Sequence, residues 1–221
     1  MGQEIDLMRN YPKSKRDTKE RADQKTEEDR KIARQFGKEY FDGDRRYGYG
    51  GYFYNPRFWE SVIPDFVRYF KINKNSSILD VGCGKGFMLY DLWRLIPGIK
   101  INGIDFSDYA IKNCKEEMSP FLQVGDARNI PFPDNSFDVV FSITTLHNLD
   151  REGCAQGLRE IERVSRGKSF VTLDAYRNEK ERKEMEEWNL TALTVMHVDK
   201  WKEFFDEIGY SGDYYWFMPA T

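Results

Sequence analysis

A glycine-rich segment between a predicted strand and a predicted helix is the first feature of the sequence that could bind a ligand. It reads Asp80-Val81-Gly82-Cys83-Gly84-Lys85-Gly86, and its glycines let the backbone turn sharply and approach a ligand closely. The GxGxG spacing has Phe87 where the dinucleotide motif needs its last glycine, and Lys85 is followed by Gly86 rather than by the Ser or Thr of a P-loop. Asp80 would repel a pyrophosphate and suits a ligand with a cationic amino group. The segment therefore points away from NAD and ATP.

Two further aspartates stand directly after predicted strands. Asp105 follows the glycine loop by about 20 residues, where a carboxylate can accept hydrogen bonds from both ribose hydroxyls of an adenosine ligand. Asp126 could accept a hydrogen bond from an adenine amino group. Helix N-capping is the structural alternative for both residues, because aspartate caps helices well. We favour ligand contact.

Alternating strands and helices position these residues. Apolar, strand-like runs occupy residues 77–81, 99–104, 121–124, 137–142 and 169–174, and helical patterns at 87–95, 109–117 and 154–164 separate most of them. Such alternation indicates an α/β fold with a doubly wound, mostly parallel, Rossmann-like sheet of six to seven strands. Because ligands of open α/β sheets bind beyond the carboxyl ends of the strands, each loop after a strand is a candidate wall of the site.

Several motifs follow one another in the order found in a known family. The runs ILDVGCGKG, GIDFS and GDARNIPFPDNSFDVVFS resemble the class I methyltransferases that depend on S-adenosylmethionine (SAM), in particular the small-molecule group, over roughly residues 76–175. The family sheet usually has seven strands, the last two forming a hairpin. Here only one terminal strand is evident, near 214–218, so we expect an abbreviated sheet or an additional strand from 194–198.

The resemblance implies a set of cofactor-binding residues. SAM would be bound by Asp80, Gly82 and Gly84, its ribose by Asp105, and its adenine by Phe106, Asp126 and Ala127. Neighbouring residues expected at the same site are Cys83, Ser107, Gly125 and Ser142. We interpret Cys83 as a small side chain packed against the ligand, since nothing in the sequence indicates a redox-active thiol.

His147 is the candidate catalytic residue. It lies in the loop after the fourth predicted strand, which should open towards the methyl group of SAM. Methyl transfer is an in-line displacement that requires an aligned nucleophile and removal of its proton, and a neutral imidazole can accept a proton near pH 7. A structural histidine, or one that only contacts the cofactor, is an equal alternative. Asp174 and Arg177, after the fifth strand, should also face the substrate.

An aromatic stretch, YGYGGYFY at 47–54, precedes the first strand and resembles the N-terminal segment of a bacterial subgroup of these enzymes. Glycines among tyrosines predict a mobile lid that excludes water, with a buried edge as the alternative. The predicted substrate contacts are Tyr47, Tyr49, Tyr52, Tyr54, Arg57, Asn148 and Tyr176. Arg45, Arg46 and Arg57 could bind an anionic group such as a phosphate, or simply be solvated.

Composition limits the partners and the compartment. A net charge of −3 gives the chain no excess of positive charge for binding nucleic acid. No run approaches the roughly 20 apolar residues of a membrane span. Three widely spaced cysteines suit a reducing cytosol and form no zinc set. We therefore expect no nucleic-acid, membrane or metal partner and a cytoplasmic location.

These observations predict an N- or O-methyltransferase for a small polar metabolite, phosphorylated and sugar-related ones included. Residues 1–56 would form an N-terminal helical extension and aromatic lid, and residues 57–221 the SAM-binding domain. An RNA or protein methyltransferase and a catalytically silent SAM-binding subunit are the alternatives. The oligomeric state stays open.

Overall fold

The sheet predicted from the alternating pattern is present in the computed structural model, which describes residues 2–12 and 25–218. Within those residues, the seven strands are β1 (Ser77–Val81), β2 (Lys100–Asp105), β3 (Leu122–Val124), β4 (Val139–Ile143), β5 (Ser169–Tyr176), β6 (Met196–His197) and β7 (Asp213–Phe217). Their order is β3-β2-β1-β4-β5-β6, β7 also pairs with β5, and every pair is parallel. The Rossmann-like fold is thereby confirmed.

Helices connect the strands and form an N-terminal cap. They are α1 (Glu27–Ala33), α2 (Lys38–Asp42), α3 (Ile63–Phe70), α4 (Phe87–Leu95), α5 (Asp108–Lys112), α6 (Arg151–Val164), α7 (Glu179–Trp188) and α8 (Val198–Ile208). Within the N-terminal extension predicted to be helical, the described residues contain α1 and α2, and residues 13–24 lie outside the described residues. Pro64 does not kink a helix, because α3 begins beside it and a first-turn proline removes no helical hydrogen bond.

Among residues 2–12 and 25–218, the end of the sheet has no hairpin. β6 pairs with Ala175 and Tyr176, confirming a strand within 194–198, and β7 runs parallel to residues 170–174 of β5. Parallel strands need a crossover connection, which α8 provides between β6 and β7. The N-terminal segment then pairs with β7, since Ile5 N donates to Tyr214 O at 2.9 Å and Tyr214 N donates to Gln3 O at 3.0 Å. This pairing covers part of an otherwise open strand.

Two apolar clusters, one on each face of the sheet, stabilise the fold. Alternation along β4 divides its side chains, with Val140 in the cluster under α6 and α8 and Phe141 in the cluster under α3 and α4. The Phe66 ring of α3 packs edge-on against Phe141 and Phe170, with centroids 5.0 and 5.3 Å away. Among the described residues, no helix is both long and apolar enough to cross a bilayer.

Trp201 connects α8 to the end of β5, and its removal is a test of this packing. The indole is fully buried, and its Nε1 donates to Asp174 O at 3.0 Å. We expect Trp201→Phe to lower the free energy of unfolding by about 1–3 kcal/mol, because the buried carbonyl loses its donor. Urea denaturation measures the change. Trp93→Phe on α4, at a partly exposed position, is the control and should stay within about 0.5 kcal/mol; equal losses in both variants would contradict the assignment.

Candidate functional site

A single cavity of about 830 Å³ brings most of the predicted site residues together. It lies where the carboxyl ends of the parallel strands converge, so loops distant in sequence form its walls. The predicted residues that line it are Tyr49, Tyr52, Asp80, Gly82, Cys83, Gly84, Asp105, Phe106, Gly125, Asp126, Ala127, His147 and Asn148. The cavity is therefore the candidate site for both a cofactor and an acceptor.

The glycine loop has a shape that side chains would prevent. Gly82 has a φ of +86°, and a Cβ there would lie 2.1 Å from Thr145 Oγ1. Gly84 also has a positive φ, of +55°, and presents its backbone to the cavity beneath the ring of Tyr52. Glycine at position 82 lets the loop after β4 pack directly on the loop after β1, and glycine at position 84 leaves room for the ring of Tyr52.

Asp80 is a buried carboxylate without a partner. Only 4% of the residue is exposed, and its carboxylate has no hydrogen bond or ion pair within residues 2–12 and 25–218. Burial, together with the negative charge of Asp105, raises the pKa of Asp80 to about 7. Because isolation of a buried charge is unfavourable, a cationic group bound in the cavity would stabilise the ionised form.

Asp105 fixes the glycine loop to the end of β2. Its Oδ2 accepts a hydrogen bond from Gly84 N at 2.7 Å, and its Oδ1 accepts one from Ser107 N at 2.8 Å. Burial raises its pKa, although these two N–H groups oppose that rise. The N-cap of α5 is Ser107, whose Oγ accepts from Ala110 N at 3.0 Å. Asp105 is therefore not the cap, and its carboxylate lines the cavity.

Phe106 and Asp126, which follow β2 and β3, also line the cavity. Phe106 is 63% exposed and lines the cavity, so one face of its ring is accessible to a planar ligand. Asp126 accepts hydrogen bonds from Arg128 Nε at 3.0 Å and Nη2 at 2.6 Å, which hold the pKa of that carboxyl below its ordinary value. Its Oδ1 also accepts from the backbone N of Arg128 at 2.8 Å, which forms a turn rather than a helix cap.

Two of the predicted cofactor residues lie behind the site. Ser142 Oγ donates to Val81 O at 3.0 Å and joins β4 to β1. Ser107 Oγ donates to Phe36 O and joins α5 to the N-terminal cap. Neither residue lines the cavity, so the structure gives both a supporting position instead of direct ligand contact.

His147 has the geometry of a structural residue. Its buried Nδ1 accepts a hydrogen bond from Asp174 N at 3.1 Å, so the neutral ring carries its proton on Nε2, 3.5 Å from Asp174 Oδ1. Burial lowers its pKa to about 3. With its only lone pair occupied, the ring has no nitrogen available for a substrate proton. The geometry favours the structural alternative over the predicted base.

Asp174 is an acidic side chain of the cavity whose surroundings the sequence did not predict. It stands at the end of β5, lines the cavity and is 6% exposed. Burial raises its pKa to about 7. Its position after a strand predicted that it faces the substrate. The lack of a hydrogen-bond partner for its carboxylate and the proximity of His147 depend on tertiary packing.

The N-terminal cap is attached to the glycine loop by a buried ion pair. Asp42 at the end of α2 accepts from Lys85 Nζ at 2.6 Å and from Tyr109 OH at 2.7 Å through Oδ2, and from Tyr52 N at 2.9 Å through Oδ1. Burial would raise the pKa of Asp42, but these donors keep it below its ordinary value. Above the loop, the rings of Tyr49 and Tyr52 are in contact, with centroids 4.3 Å apart.

The remaining predicted substrate contacts lie away from the cavity. Tyr54 OH donates to Asp91 Oδ1 at 2.5 Å on the α4 side. Tyr47 contacts Arg46, Arg57 is exposed over the ring of Phe58, and Tyr176 packs against His197. None of these four predicted contacts lines the cavity. Arg45 does, but its Nη1 already donates to Gly48 O and Tyr49 O at 2.7 Å.

Comparison with known proteins identifies the central part of the chain. Residues 79–173 match the family described as "Methyltransferase domain". The segment is a class I, SAM-dependent methyltransferase domain. SAM is the methyl donor that this family implies, and Asp80, Asp105 and the glycine loop are suited to it. Within the described residues, no group of three or more His, Cys, Asp or Glu side chains is arranged to hold a metal ion.

Two proteins similar to this chain have names that describe different methyltransferases. The demethylmenaquinone methyltransferase of Symbiobacterium thermophilum is 33% identical over 126 residues, covering 53% of this chain and 49% of that protein. The tRNA (carboxymethyluridine(34)-5-O)-methyltransferase of Arabidopsis thaliana is 30% identical over 162 residues, covering 67% of this chain and 38% of that protein. The chain thus spans half or less of these relatives.

The fold also occurs in a solved structure with a different description. The crystal structure of the 4+2 cyclase SpnF has a TM-score of 0.56 and 21% identity, and the match covers 68% of this chain and 56% of that one. At this level the likeness concerns the fold alone.

SAM affinity tests the position of Asp105. We expect Asp105→Ala to weaken SAM binding on the order of tenfold or more, since a charged hydrogen-bond acceptor is lost and Gly84 N loses its partner. Isothermal titration calorimetry measures the change. Asp108→Ala, an exposed aspartate of α5 paired with Lys112, is the control and should bind SAM normally. Unchanged affinity in Asp105→Ala would contradict the ribose assignment.

The pair of Asp42 and Lys85 predicts a pH-dependent stability. We expect Asp42→Asn to destabilise the protein by about 3 kcal/mol at pH 7, because Lys85 stays buried without a counter-ion. The folded pKa of Asp42 lies below its ordinary value of 3.8, so the stabilisation is complete above that value and is lost as the pH falls through the folded pKa. The difference between wild type and variant should therefore shrink only below about pH 3.8.

Urea denaturation over a pH series measures this difference. Asp108→Asn removes an exposed ion pair and should change stability by no more than about 0.5 kcal/mol at any pH. A pH-independent loss in Asp42→Asn would show that the ionised carboxylate is not what stabilises the cap.

Proposed function

We propose that the chain transfers the methyl group of SAM to a nitrogen or oxygen atom of a small polar acceptor. The observation that carries this proposal is that two nearly buried carboxylates, Asp80 and Asp174, line one cavity and have no hydrogen-bond partner among the described residues. One belongs to the cofactor loop and the other lies at the end of β5. A cofactor and a second polar ligand would account for both.

The part of this proposal that concerns SAM follows from the residues of the methyltransferase domain. When bound, SAM supplies an electrophilic methyl group on a sulfonium centre. Asp80 would pair with its amino group, Asp105 would accept from its ribose hydroxyls, and Phe106 would pack against its adenine. These residues would bind and orient SAM. Methyl transfer to the acceptor would take place further along the cavity.

The cap closes the part of the cavity that would hold the acceptor, and this closure favours a small substrate. Tyr49 and Tyr52 lie over the glycine loop and exclude water from its surface. Because the cofactor shares the 830 Å³ cavity with the acceptor, little space remains for a large substrate. We propose that residues 1–56 act as this cap and that residues 57–221 form the catalytic domain.

Charge in the cavity favours a neutral or cationic acceptor over a phosphorylated one. The arginines that line the cavity are Arg34, Arg45, Arg128 and Arg177, and none of them has an ion pair or hydrogen bond with the carboxylates of Asp80 and Asp174 among the described residues. A phosphate beside either carboxylate would therefore meet a buried negative charge that no guanidinium group balances. We propose a cytoplasmic enzyme of the bacterial subgroup with the YGYGGY segment and no nucleic-acid substrate.

Methyl-labelled SAM tests the proposal. The purified chain is incubated with it in three reactions, containing the small-molecule fraction of a cell extract, total RNA, or protein. We expect label in a small molecule and a much slower transfer by Asp105→Ala at low SAM concentration. Label in RNA or protein would replace the proposed acceptor class. SAM binding without any labelled product would favour the silent-subunit alternative.

A further inference from the structure

The end of β5 places a carboxylate and an imidazole in direct contact inside the cavity. Asp174 N donates to His147 Nδ1 at 3.1 Å, and His147 Nε2 lies 3.5 Å from Asp174 Oδ1. The loop that carries His147 is fixed in turn, since its carbonyl oxygen accepts from Leu193 N and Thr194 N at 2.9 Å. This network holds both side chains in one arrangement.

The other acids and bases of the cavity wall already have partners or a different position. Asp105 accepts two backbone N–H groups, and Asp126 is paired with Arg128. Asp80 belongs to the glycine loop, where the cofactor is expected. The neighbouring Tyr40 raises the pKa of Tyr49, and burial raises the pKa of Tyr52, both well above the ordinary value, so their hydroxyls stay protonated.

Few charged groups surround Asp174. His147 approaches it from the loop after β4, and Arg177 follows it on the same side of the sheet, where it contacts Glu4 at 3.9 Å and the Met218 sulfur. The contact from α8 is the neutral indole of Trp201, which donates to the Asp174 backbone. Burial among these neighbours raises the pKa of Asp174 to about 7, where a carboxylate is an effective general base at neutral pH.

We propose that Asp174 accepts the proton of the methyl acceptor and that His147 is the residue that positions it. This rests on the proposed methyltransferase function. The acceptor N–H or O–H donates to Asp174, its lone pair forms a bond to the methyl carbon, and the carbon–sulfur bond breaks with its electron pair left on sulfur. The proton passes to a carboxylate oxygen of Asp174 and is later released to solvent.

His147 acts through Asp174 and not on the substrate. Asp174 N donates to its Nδ1, which fixes the tautomer with the proton on Nε2 and holds the backbone of Asp174 against the ring. Nε2 lies 3.5 Å from Asp174 Oδ1, so the ring packs against the carboxylate and restricts its rotation without a hydrogen bond to it. The imidazole thus keeps the base oriented through backbone and packing contacts.

Rates with labelled SAM and the accepting small-molecule fraction test this assignment. We expect Asp174→Asn to slow methyl transfer at least about 100-fold while SAM affinity, measured by calorimetry, stays unchanged. In wild type the rate at dilute acceptor should rise with pH through about 7 and then level off, and this rise should vanish in the variant. Asp174→Glu, which keeps a carboxylate, should recover part of the rate and the pH dependence. Asp108→Asn is the control outside the cavity.

His147→Asn separates positioning from catalysis. Asparagine can still accept from Asp174 N through its amide oxygen, but its smaller side chain no longer packs against the carboxylate. We expect a smaller loss of rate than in Asp174→Asn and a shift of the pH dependence to lower pH, because the carboxylate becomes less desolvated. A loss of rate with the pH profile unmoved would show that His147 supports only the fold.

A direct titration of the carboxyl group provides a readout apart from activity. In protein labelled with carboxyl-¹³C aspartate and saturated with S-adenosylhomocysteine, the resonance that disappears in Asp174→Asn should titrate near pH 7. Titration near the ordinary value, or wild-type rate and pH profile in Asp174→Asn, would overturn the assignment of the base. Absence of labelled product with wild type would instead overturn the methyltransferase function itself.

Discussion

Burial of unpaired carboxylates is the constraint on which the site depends. Asp80 and Asp174 are nearly inaccessible to water, yet neither has a counter-ion within bonding distance among the described residues. Such burial is unfavourable unless the group becomes protonated or a ligand supplies the missing charge. Burial raises the pKa of both residues, which is the first response, and a cationic group bound at Asp80, as proposed, would be the second. Such a ligand would stabilise the folded chain.

The cap is better described as a wall of the site than as a loosely attached lid. Asp42 bonds simultaneously to Lys85 in the glycine loop, to Tyr109 on α5 and to the backbone of Tyr52. Displacement of the tyrosine stretch would leave Lys85 buried and unpaired. The contacts of Asp42 therefore hold the cofactor loop and the tyrosines above it together.

The sequence was informative wherever local pattern determines position. The strands, the glycine loop and the placement of Asp80 and Asp105 follow from alternation and spacing, because a parallel sheet brings the ends of its strands to one edge. Tertiary contacts decided the rest. Tyr54 and Tyr49 belong to the same aromatic stretch, yet only Tyr49 faces the cavity. The parallel placement of β7 likewise depends on the crossover through α8, which no strand pattern encodes.

The groups at the end of β5 also restrict which acceptors are compatible with the proposed proton transfer. Nδ1 of His147 is occupied by the backbone, so the carboxylate of Asp174 is the group that can take up a proton, and it can take one only from an acceptor that carries it. Hydroxyl and amine groups meet that condition at the moment of transfer. A carbon nucleophile without an N–H or O–H group would leave Asp174 buried and unpaired in the bound complex, at the same energetic disadvantage as in the free protein. With Asp174 as the proposed base, the site would therefore favour N- or O-methylation over C-methylation.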